Sequence, residues 1–451
     1  MTRHHERSGR HGGATPSGDG GDRRVGRRSY LRLAGTTAGV ASLLAGTAGA
    51  RVTTQGTDTF SRTVDAVEAG CDPTGRTPCD RAFRRAVDED TLLSFPAGTY
   101  RFTEPQAVLG VERLGIVGKG AVSFSVPPEF NANLLTIAGG SELLFRGITV
   151  DTTASGATPG LRLCARDRLT VEDVAFVGRS ASPSAAGPAV SALSPVVRSP
   201  DGVGIVRDVR ASNGGPTGAG DRTDDGRAGI RIGGATRGTM RIENCRLEGF
   251  PNGGAYVSET PGEIRIDGGV YRNNAVAGIR LGGTDPESSV RNARVEVGLG
   301  DSTAFDGRTK GANRANGANG TSGADGTDAC AIRFEGGGSG ANVRECAVAV
   351  GSDVSPEGAI VAGHGYGGFS LRDTRIRIAN AAFPAVRGLA PHGGRYSPPQ
   401  GSLETRVERC SIVGPRRDAA IRMTGRPRPR VEDTLLDGAV LTDEDVLPVD
   451  R

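Results

Sequence analysis

A short phrase recurs from Gly160 to the end of the chain, and this repetition constrains the fold more than any other feature. One form reads small–apolar–Arg–apolar and begins at Gly160, Gly229, Gly278, Ala331 and Ala420. The other form reads apolar–x–polar–small–x–apolar, as in IENCRL from Ile242 and VERCSI from Val407. Both alternate with a period of two and are rich in Val, Ile and Leu, so each predicts a β-strand. Repeated short strands without intervening helices predict a solenoid.

The spacing of the repeat distinguishes between kinds of solenoid. The polar position of the second phrase recurs at 24-residue intervals in Asn244, Gly268 and Asn292. A 24-residue unit of strands and Gly-rich turns fits one rung of a parallel β-helix with three sides. Longer intervals predict rungs with inserted loops. The consensus of a leucine-rich repeat and the four-stranded blade of a propeller are both absent from the sequence.

Residues 64–102 predict a cap for the solenoid. Asp80 is a candidate helix N-cap, and Ala82, Phe83, Ala86 and Val87 form an apolar face at helical spacing. The phrase FPAGTY follows at 95–100. This order resembles the start of the pectate-lyase-like right-handed β-helix superfamily, in which a helix plugs the N-terminal end. The resemblance implies an all-β, right-handed parallel β-helix of about ten rungs, from Leu92 to Leu441, with an N-terminal capping helix.

The first 50 residues have the features of an export signal. Arg27 and Arg28 precede Tyr30-Leu31-Arg32, and a mildly apolar stretch too short for a membrane span follows. The segment resembles a twin-arginine signal, and an A-x-A site ends at Ala50. We expect a secreted mature chain with a β-helix domain at 51–441, an acidic tail at 442–451 and no membrane association after signal removal.

The charge of the mature chain argues against a nucleic-acid partner. The whole chain carries 55 basic and 51 acidic residues. Removing the eight arginines and three acidic residues of positions 1–50 leaves 47 and 48. The mature chain is therefore close to neutral, and the basic pI belongs to the precursor.

Seven cysteines are present, and their positions suggest two roles. Cys71 and Cys79 bracket a nine-residue loop, and the sequence is compatible either with a disulfide between them or with two free thiols. Three others occupy one position of the repeat, and we expect an interior row made of Val174, Val209, Cys245, Val270, Cys346 and Cys410. No C-x-x-C pair occurs, so no metal ligand is assigned. Calcium is not supported by a motif, because GRPRPR at 425–430 does not fit the R-x-P-x-x-R of calcium-dependent pectate lyases.

Common catalytic motifs are missing from the sequence. The chain after the leader has two histidines, His364 and His392, and no Trp, nucleophile elbow, phosphate-binding loop or zinc motif. Gly363-His364-Gly365 resembles a tripeptide of polygalacturonases, but the accompanying Asp-Asp and Arg-Ile-Lys phrases are not at matching positions. No catalytic residue is assigned. His364 is kept as a candidate ligand-binding residue, with a solvated turn histidine as the alternative.

An outward-facing column of arginines is the strongest functional signal. Alternation places the middle residue of the first phrase outside the solenoid. Rungs stack about 4.8 Å apart, so neighbouring like charges repel by roughly 0.9 kcal/mol even in water. Carboxylates such as Glu259 and Glu335, or an anionic ligand, should offset this repulsion. The predicted column is Arg162, Ser191, Arg231, Tyr256, Arg280, Arg333, Val361, Arg387 and Arg422.

Two functions fit these observations. The first is an exported protein that binds an acidic polysaccharide through Arg231, Tyr256, Arg280 and Arg333, with cleavage or epimerisation as its enzymatic form. Inserted loops at 212–227 and 299–328 would stand beside the column and form the walls of a groove. The second is a non-catalytic secreted or cell-surface structural or adhesive solenoid. The sequence leaves open the activity, the substrate and the oligomeric state.

Overall fold

The computed structural model describes residues 60–180, 190–212, 214–215, 226–283, 285–299, 329–352, 354–380, 382–393, 398–415 and 419–443. The predicted export signal, most of the two predicted wall loops and most of the acidic tail lie outside these residues. Within them the chain forms β-strands and one α-helix. That helix has seven residues, and the described residues contain no helix long and apolar enough to cross a membrane.

The N-terminal rungs contain the helix and the longest strands. Their elements are β1 (Arg62–Asp65), β2 (Thr74–Pro78), α1 (Asp80–Ala86), β3 (Thr91–Arg101), β4 (Gln106–Leu109), β5 (Arg113–Ser125), β6 (Asn133–Ala138), β7 (Glu142–Asp151), β8 (Gly160–Ala165) and β9 (Arg168–Val177).

The later strands are short and follow one another in groups of three. They are β10 (Leu193–Val197), β11 (Val203–Arg207), β12 (Arg210–Ala211), β13 (Ile230–Ile232), β14 (Thr239–Glu243), β15 (Arg246–Glu248), β16 (Gly253–Ser258), β17 (Ile264–Asp267), β18 (Val270–Arg272), β19 (Ala277–Gly282), β20 (Ser289–Arg291), β21 (Arg294–Val297), β22 (Cys330–Phe334), β23 (Asn342–Arg344), β24 (Ala347–Val350), β25 (Ile360–Ala362), β26 (Ser370–Arg372), β27 (Arg375–Ile378), β28 (Val386–Gly388), β29 (Arg406–Glu408), β30 (Ser411–Val413), β31 (Ala419–Met423), β32 (Arg430–Glu432), β33 (Leu435–Leu436) and β34 (Ala439–Leu441).

These strands form two sheets whose pairings are parallel. Sheet B contains twelve strands in the order β4, β6, β8, β10, β13, β16, β19, β22, β25, β28, β31 and β34. The remaining strands make up sheet A. From β10 onward each rung gives one strand to sheet B and two to sheet A, which produces the three predicted sides. The predicted β-helix with its N-terminal helix is confirmed, with twelve strands in sheet B against the expected ten or so rungs.

The corner between the two strands of sheet A explains the polar position of the repeat. Every residue at this position has a positive φ, between +46° at Asp433 and +71° at Gly147. Asn, Asp and Gly tolerate this left-handed conformation best, so the repeat places them there. The file consists of Gly147, Asp173, Asp208, Asn244, Gly268, Asn292, Glu345, Asp373, Arg409 and Asp433.

The cap differs from expectation in how Asp80 acts. Cys79 is the N-cap of α1, and Asp80 is the first helical residue. The buried Asp80 carboxylate instead accepts hydrogen bonds from the backbone N–H groups of Thr103 and Glu104 and from Gln106 Nε2. Asp80 therefore ties the helix to the loop between β3 and β4. The apolar face of α1 packs into the core, where Phe83 contacts Phe102 edge to face at 5.6 Å.

The interior row that follows the corner is confirmed at five of its six predicted positions. Val174, Val209, Cys245, Cys346 and Cys410 are buried. Val270 is the exception, because it lies in β18 between Arg246 and Arg294 of the neighbouring strands. Gly269 fills the inward position. A Cβ at Gly269 would come within 2.3 Å of the Cys245 carbonyl oxygen, so only glycine fits this rung.

Cys71 and Cys79 lie together beside the capping helix. Both are buried and present as thiols in the structure. The Cys71 thiol donates a side-chain hydrogen bond to its neighbour Cys79, and this is the main cause that raises the pKa of Cys71 above its usual value. The two sulfur atoms are therefore adjacent, and the disulfide stays a prediction.

Candidate functional site

The outer face of sheet B carries the predicted arginine column with one correction. The register pairs Arg231 with Tyr256, Tyr256 with Arg280, and Arg280 with Arg333. The column continues through Val361, Arg387 and Arg422. In β10 the member is Ser194, which pairs with Arg162, and not Ser191, which precedes the strand and is buried.

The middle of the column is covered and does not face solvent as expected. Tyr256 and Arg280 are each 2 % exposed, and Val361 is fully buried. Alternation along a strand decides which side of the sheet a residue faces, but not whether other groups cover that side. Tyr256 and Arg280, both predicted to contact a ligand, are therefore covered by other groups of the protein.

In the second half of the column, two carboxylates are shared among three of the four arginines, and the fourth, Arg422, is exposed and has no acidic partner among the described residues. Arg280 Nη2 lies 2.7 Å from Glu335 Oε1. Arg333 lies between the carboxylates, 3.6 Å from Glu335 Oε2 and 3.3 Å from Glu357 Oε2. Arg387 Nη1 is 3.9 Å from Glu357 Oε1. We call these five residues, Arg280, Arg333, Arg387, Glu335 and Glu357, the paired half.

Burial and charge act against each other within the paired half. Burial alone would lower the pKa of the Arg333 guanidinium, but the negative charges of Cys330 in its ionised form, of Glu335 and of Glu357 raise it, and the net shift is upward. Burial raises the pKa of the Cys330 thiol to about 11, although Arg333 acts in the opposite direction. Cys330 therefore remains a neutral thiol at physiological pH and is not an activated nucleophile.

Tyr256 joins the two halves of the column. Arg280 lies over its ring with the guanidinium carbon 4.0 Å from the ring centroid, and Arg231 approaches the same ring at 5.4 Å. Arg280 Nη1 also donates a 2.6 Å hydrogen bond to Asn252 Oδ1. These contacts fix the ring between two cations, where it holds the arginines and offers no free face for a sugar.

The first half of the column has no carboxylates. We call Arg162, Ser194 and Arg231 the open half. Arg162 is exposed, and Ser194 and Arg231 are partly exposed. Among the described residues no acidic group lies within ion-pair distance of Arg162 or Arg231. The predicted partner Glu259 is exposed and makes no ion pair there, so only Glu335 of the two expected carboxylates reaches the column.

Two further arginines show how the chain buries a cation without an acid. Arg426 donates to four backbone carbonyls, those of Gly363, Tyr366, Gly367 and Leu389, at 2.7–3.0 Å. Burial lowers the pKa of Arg426 to about 10 and that of Arg227 to about 9. Their role is to link turns of successive rungs, because all of their described acceptors are backbone carbonyls.

His364 lies away from the open half. It follows β25, four strands further along sheet B than Arg231. Its ring stacks on His392 with centroids 4.0 Å apart, and its Nδ1 lies 2.7 Å from the Ala390 carbonyl oxygen. Nδ1 must carry the proton that this carbonyl accepts. The proposed binding role of His364 stays a prediction.

The described residues contain no cluster of three or more His, Cys, Asp or Glu side chains suited to a metal ion. In the paired half each carboxylate contacts two guanidinium groups, an arrangement that holds charge and does not move a proton.

Sequence reasoning missed Asn252 and Glu357. Both stand three residues before the first inward residue of their sheet B strand, Ala255 and Ile360. Arg227 likewise stands three residues before Ile230. A polar residue at this position of the rung could therefore have indicated a side chain that contacts a neighbouring rung. Each of these side chains reaches a neighbouring rung, which a single-rung pattern does not reveal.

Comparison with known proteins shows the fold and nothing finer. No protein-family model matches the chain, and no curated protein sequence matches it. PfbA, a surface adhesin of Streptococcus pneumoniae, aligns over 85% of this chain and 94% of its own, with a TM-score of 0.52 and 12% identity.

Two further solved structures are more distant in shape. The A-module of the mannuronan C-5 epimerase AlgE4 of Azotobacter vinelandii aligns over 83% of this chain and 95% of its own, with a TM-score of 0.47 and 15% identity. The catalytic unit of a GH87 alpha-1,3-glucanase from Streptomyces thermodiastaticus covers 84% and 69%, with a TM-score of 0.34 and 13% identity. The likeness to PfbA places this chain among the parallel β-helix proteins.

Proposed function

We propose that this chain is an exported β-helix protein that binds an acidic polysaccharide along the outer face of sheet B. The observation that carries the proposal is the open half of the column. Two guanidinium groups stand there without acidic partners among the described residues, whereas the arginines of the paired half lie in ion pairs with Glu335 and Glu357. An anionic polymer would supply the missing negative charge.

Polysaccharide cleavage or epimerisation is the enzymatic form of this proposal. It would require two carboxylates, or a carboxylate together with an arginine, that converge in one cleft and are free to act on the sugar. Both carboxylates of the paired half are already shared between arginines, at 2.7–3.9 Å. This favours binding without catalysis as the second candidate function, that of a secreted or surface adhesive solenoid. PfbA, with the same fold, is a surface adhesin.

The experiment is a binding screen of the purified mature protein with an activity readout. Polygalacturonate, alginate and a neutral glucan are compared at low and high salt, and unsaturated products and new reducing ends are assayed. We expect binding of the acidic polymers that weakens steeply as salt rises, because salt screens exposed charges. Equal binding of the neutral glucan, or no binding of any acidic polymer, would refute the proposal and leave the structural solenoid.

We also propose that export proceeds through the twin-arginine route and that Cys71 and Cys79 form a disulfide afterwards. The S–S bond forms as the two S–H bonds break, and a thiol–disulfide oxidase would accept the two electrons and two protons that are released. Changing Arg27 and Arg28 together to lysine should leave the precursor in the cytoplasm with its leader intact. The intact mass of the secreted protein should correspond to a chain starting at Arg51 with two thiol hydrogens missing. Normal export of the double variant, or an unchanged thiol count, would contradict these points.

A further inference from the structure

Hydroxyl and guanidinium groups alternate over the rungs that lead to Tyr256. Thr136 of β6 pairs with Arg162 of β8, and Arg162 pairs with Ser194 of β10. The pairing of Leu193 with Ile230 places Ser194 beside Arg231, which pairs with Tyr256. The two arginines are thus separated by one rung that carries a small hydroxyl.

This spacing weakens the repulsion between the two guanidinium groups of the open half. Two rungs separate Arg162 from Arg231, about 9.6 Å at the usual strand spacing. The paired half has no such spacer between Arg280 and Arg333, which are direct neighbours and share Glu335. The open half therefore keeps both of its positive charges, whereas two carboxylates offset two of the three positive charges of the paired half.

Resting on the proposed function, we infer that the open half is the anion subsite and that the paired half takes no part in binding. A polysaccharide strand would lie along the solenoid axis, across the strands of sheet B. Arg162 and Arg231 would each bind an anionic group of the strand, two rungs apart. The Ser194 hydroxyl would bond to a sugar oxygen between them. Guanidinium groups recognise the planar oxygens of carboxylates and also those of sulfate esters, so the ligand is a polyanion of either kind.

Tyr256 marks the end of this subsite. Its ring is buried and carries Arg231 on one side of the rung and Arg280 on the other. Tyr256 is a positioning residue: it limits the movement of the Arg231 guanidinium and separates it from the arginines of the paired half. Tyr256→Phe keeps the ring and should bind as the wild type does, while Tyr256→Leu should weaken binding by releasing Arg231.

The experiment measures affinity of the mature protein for polygalacturonate, dextran sulfate and neutral dextran at two salt concentrations. Arg162→Gln and Arg231→Gln should each weaken binding about tenfold and reduce its salt dependence, since each removes one charge-assisted contact. Arg375→Gln is the matched control, because Arg375 is an exposed arginine of sheet A with no acidic partner among the described residues. It should bind as the wild type does. The polygalacturonate and dextran sulfate arms decide between carboxylate and sulfate.

The outcomes separate this inference from the proposed function. If the wild type binds neither polyanion, both fail. If the wild type binds but Arg162→Gln and Arg231→Gln bind equally well, the inference fails and the proposed function stands. Loss of binding in Arg375→Gln to the same extent would also overturn the inference, because it would show that any exposed arginine suffices. Circular dichroism of each variant confirms that its fold is retained.

Discussion

The two halves of the arginine column solve the same electrostatic problem in different ways. Stacked strands bring like charges about 4.8 Å apart, where repulsion is felt even in water. The open half separates its arginines by a hydroxyl-bearing rung and leaves them exposed. The paired half places Arg280 and Arg333 on adjacent rungs, and Glu335 and Glu357 offset two of the three positive charges of this half. Separation leaves the guanidinium groups of the open half without ion pairs among the described residues, whereas those of the paired half are held in internal ion pairs.

The strongest test of this contrast is Glu335→Gln. The change leaves the buried Arg280 guanidinium without its carboxylate, and breaking a buried ion pair in this way costs about 3 kcal/mol of unfolding free energy. Denaturant unfolding followed by circular dichroism measures the loss. Arg280→Gln combined with Glu335→Gln should recover part of it, since no unpaired charge remains.

Glu259→Gln is the matched control for that measurement. Glu259 is exposed and makes no ion pair with the described residues, so its change should shift the unfolding free energy by less than about 0.5 kcal/mol. If Glu335→Gln behaved like this control, the paired half would not be held by its carboxylates.

Ser194→Arg tests the spacing of the open half. The change would place three guanidinium groups on consecutive rungs, and two new neighbour repulsions should destabilise the protein by about 1–2 kcal/mol at low salt. High salt should remove most of this effect. Ser194→Gln has a long polar side chain without charge and should show no such salt response. A salt-independent loss in Ser194→Arg would point to steric crowding instead.

Of the changes within the column, Arg231→Gln should have the smallest effect on the unfolding free energy. Its described contact is with the Tyr256 ring at 5.4 Å, and losing a partly exposed cation–π contact costs less than about 1 kcal/mol. The thermal midpoint without ligand measures this loss. A cost equal to that of Glu335→Gln would mean that the open half is structural too, and the difference between the halves would vanish.

Much of the fold could be predicted from the sequence because a solenoid repeats its constraints. The corner residues Asn244, Gly268 and Asn292 recur at a fixed interval. Each has the positive φ of the corner, a conformation that Asn and Gly tolerate well. Errors arose where a rung lacked a distinctive side chain. Gly269 offers no side chain to recognise, so the next apolar residue, Val270, was placed in the interior row.

The site was less predictable because its contacts cross between rungs. Ser191 and Ser194 both lie between apolar residues, and only the pairing of Ser194 with Arg162 distinguishes them. The burial of Arg280 depends on groups from other rungs, such as Asn252 and Glu335. Alternation within one strand carries no information about such partners.

The Tyr256 rung has a consequence for how the column could be shortened or lengthened. Corner residues Asn244 and Gly268 are one repeat apart, so excising residues 245–268 would join two equivalent corners without changing the register of sheet A. The excision would bring Arg231 directly beside Arg280. The Tyr256 rung thus separates the open half from the paired half, and the number of rungs before it sets the length of the open half.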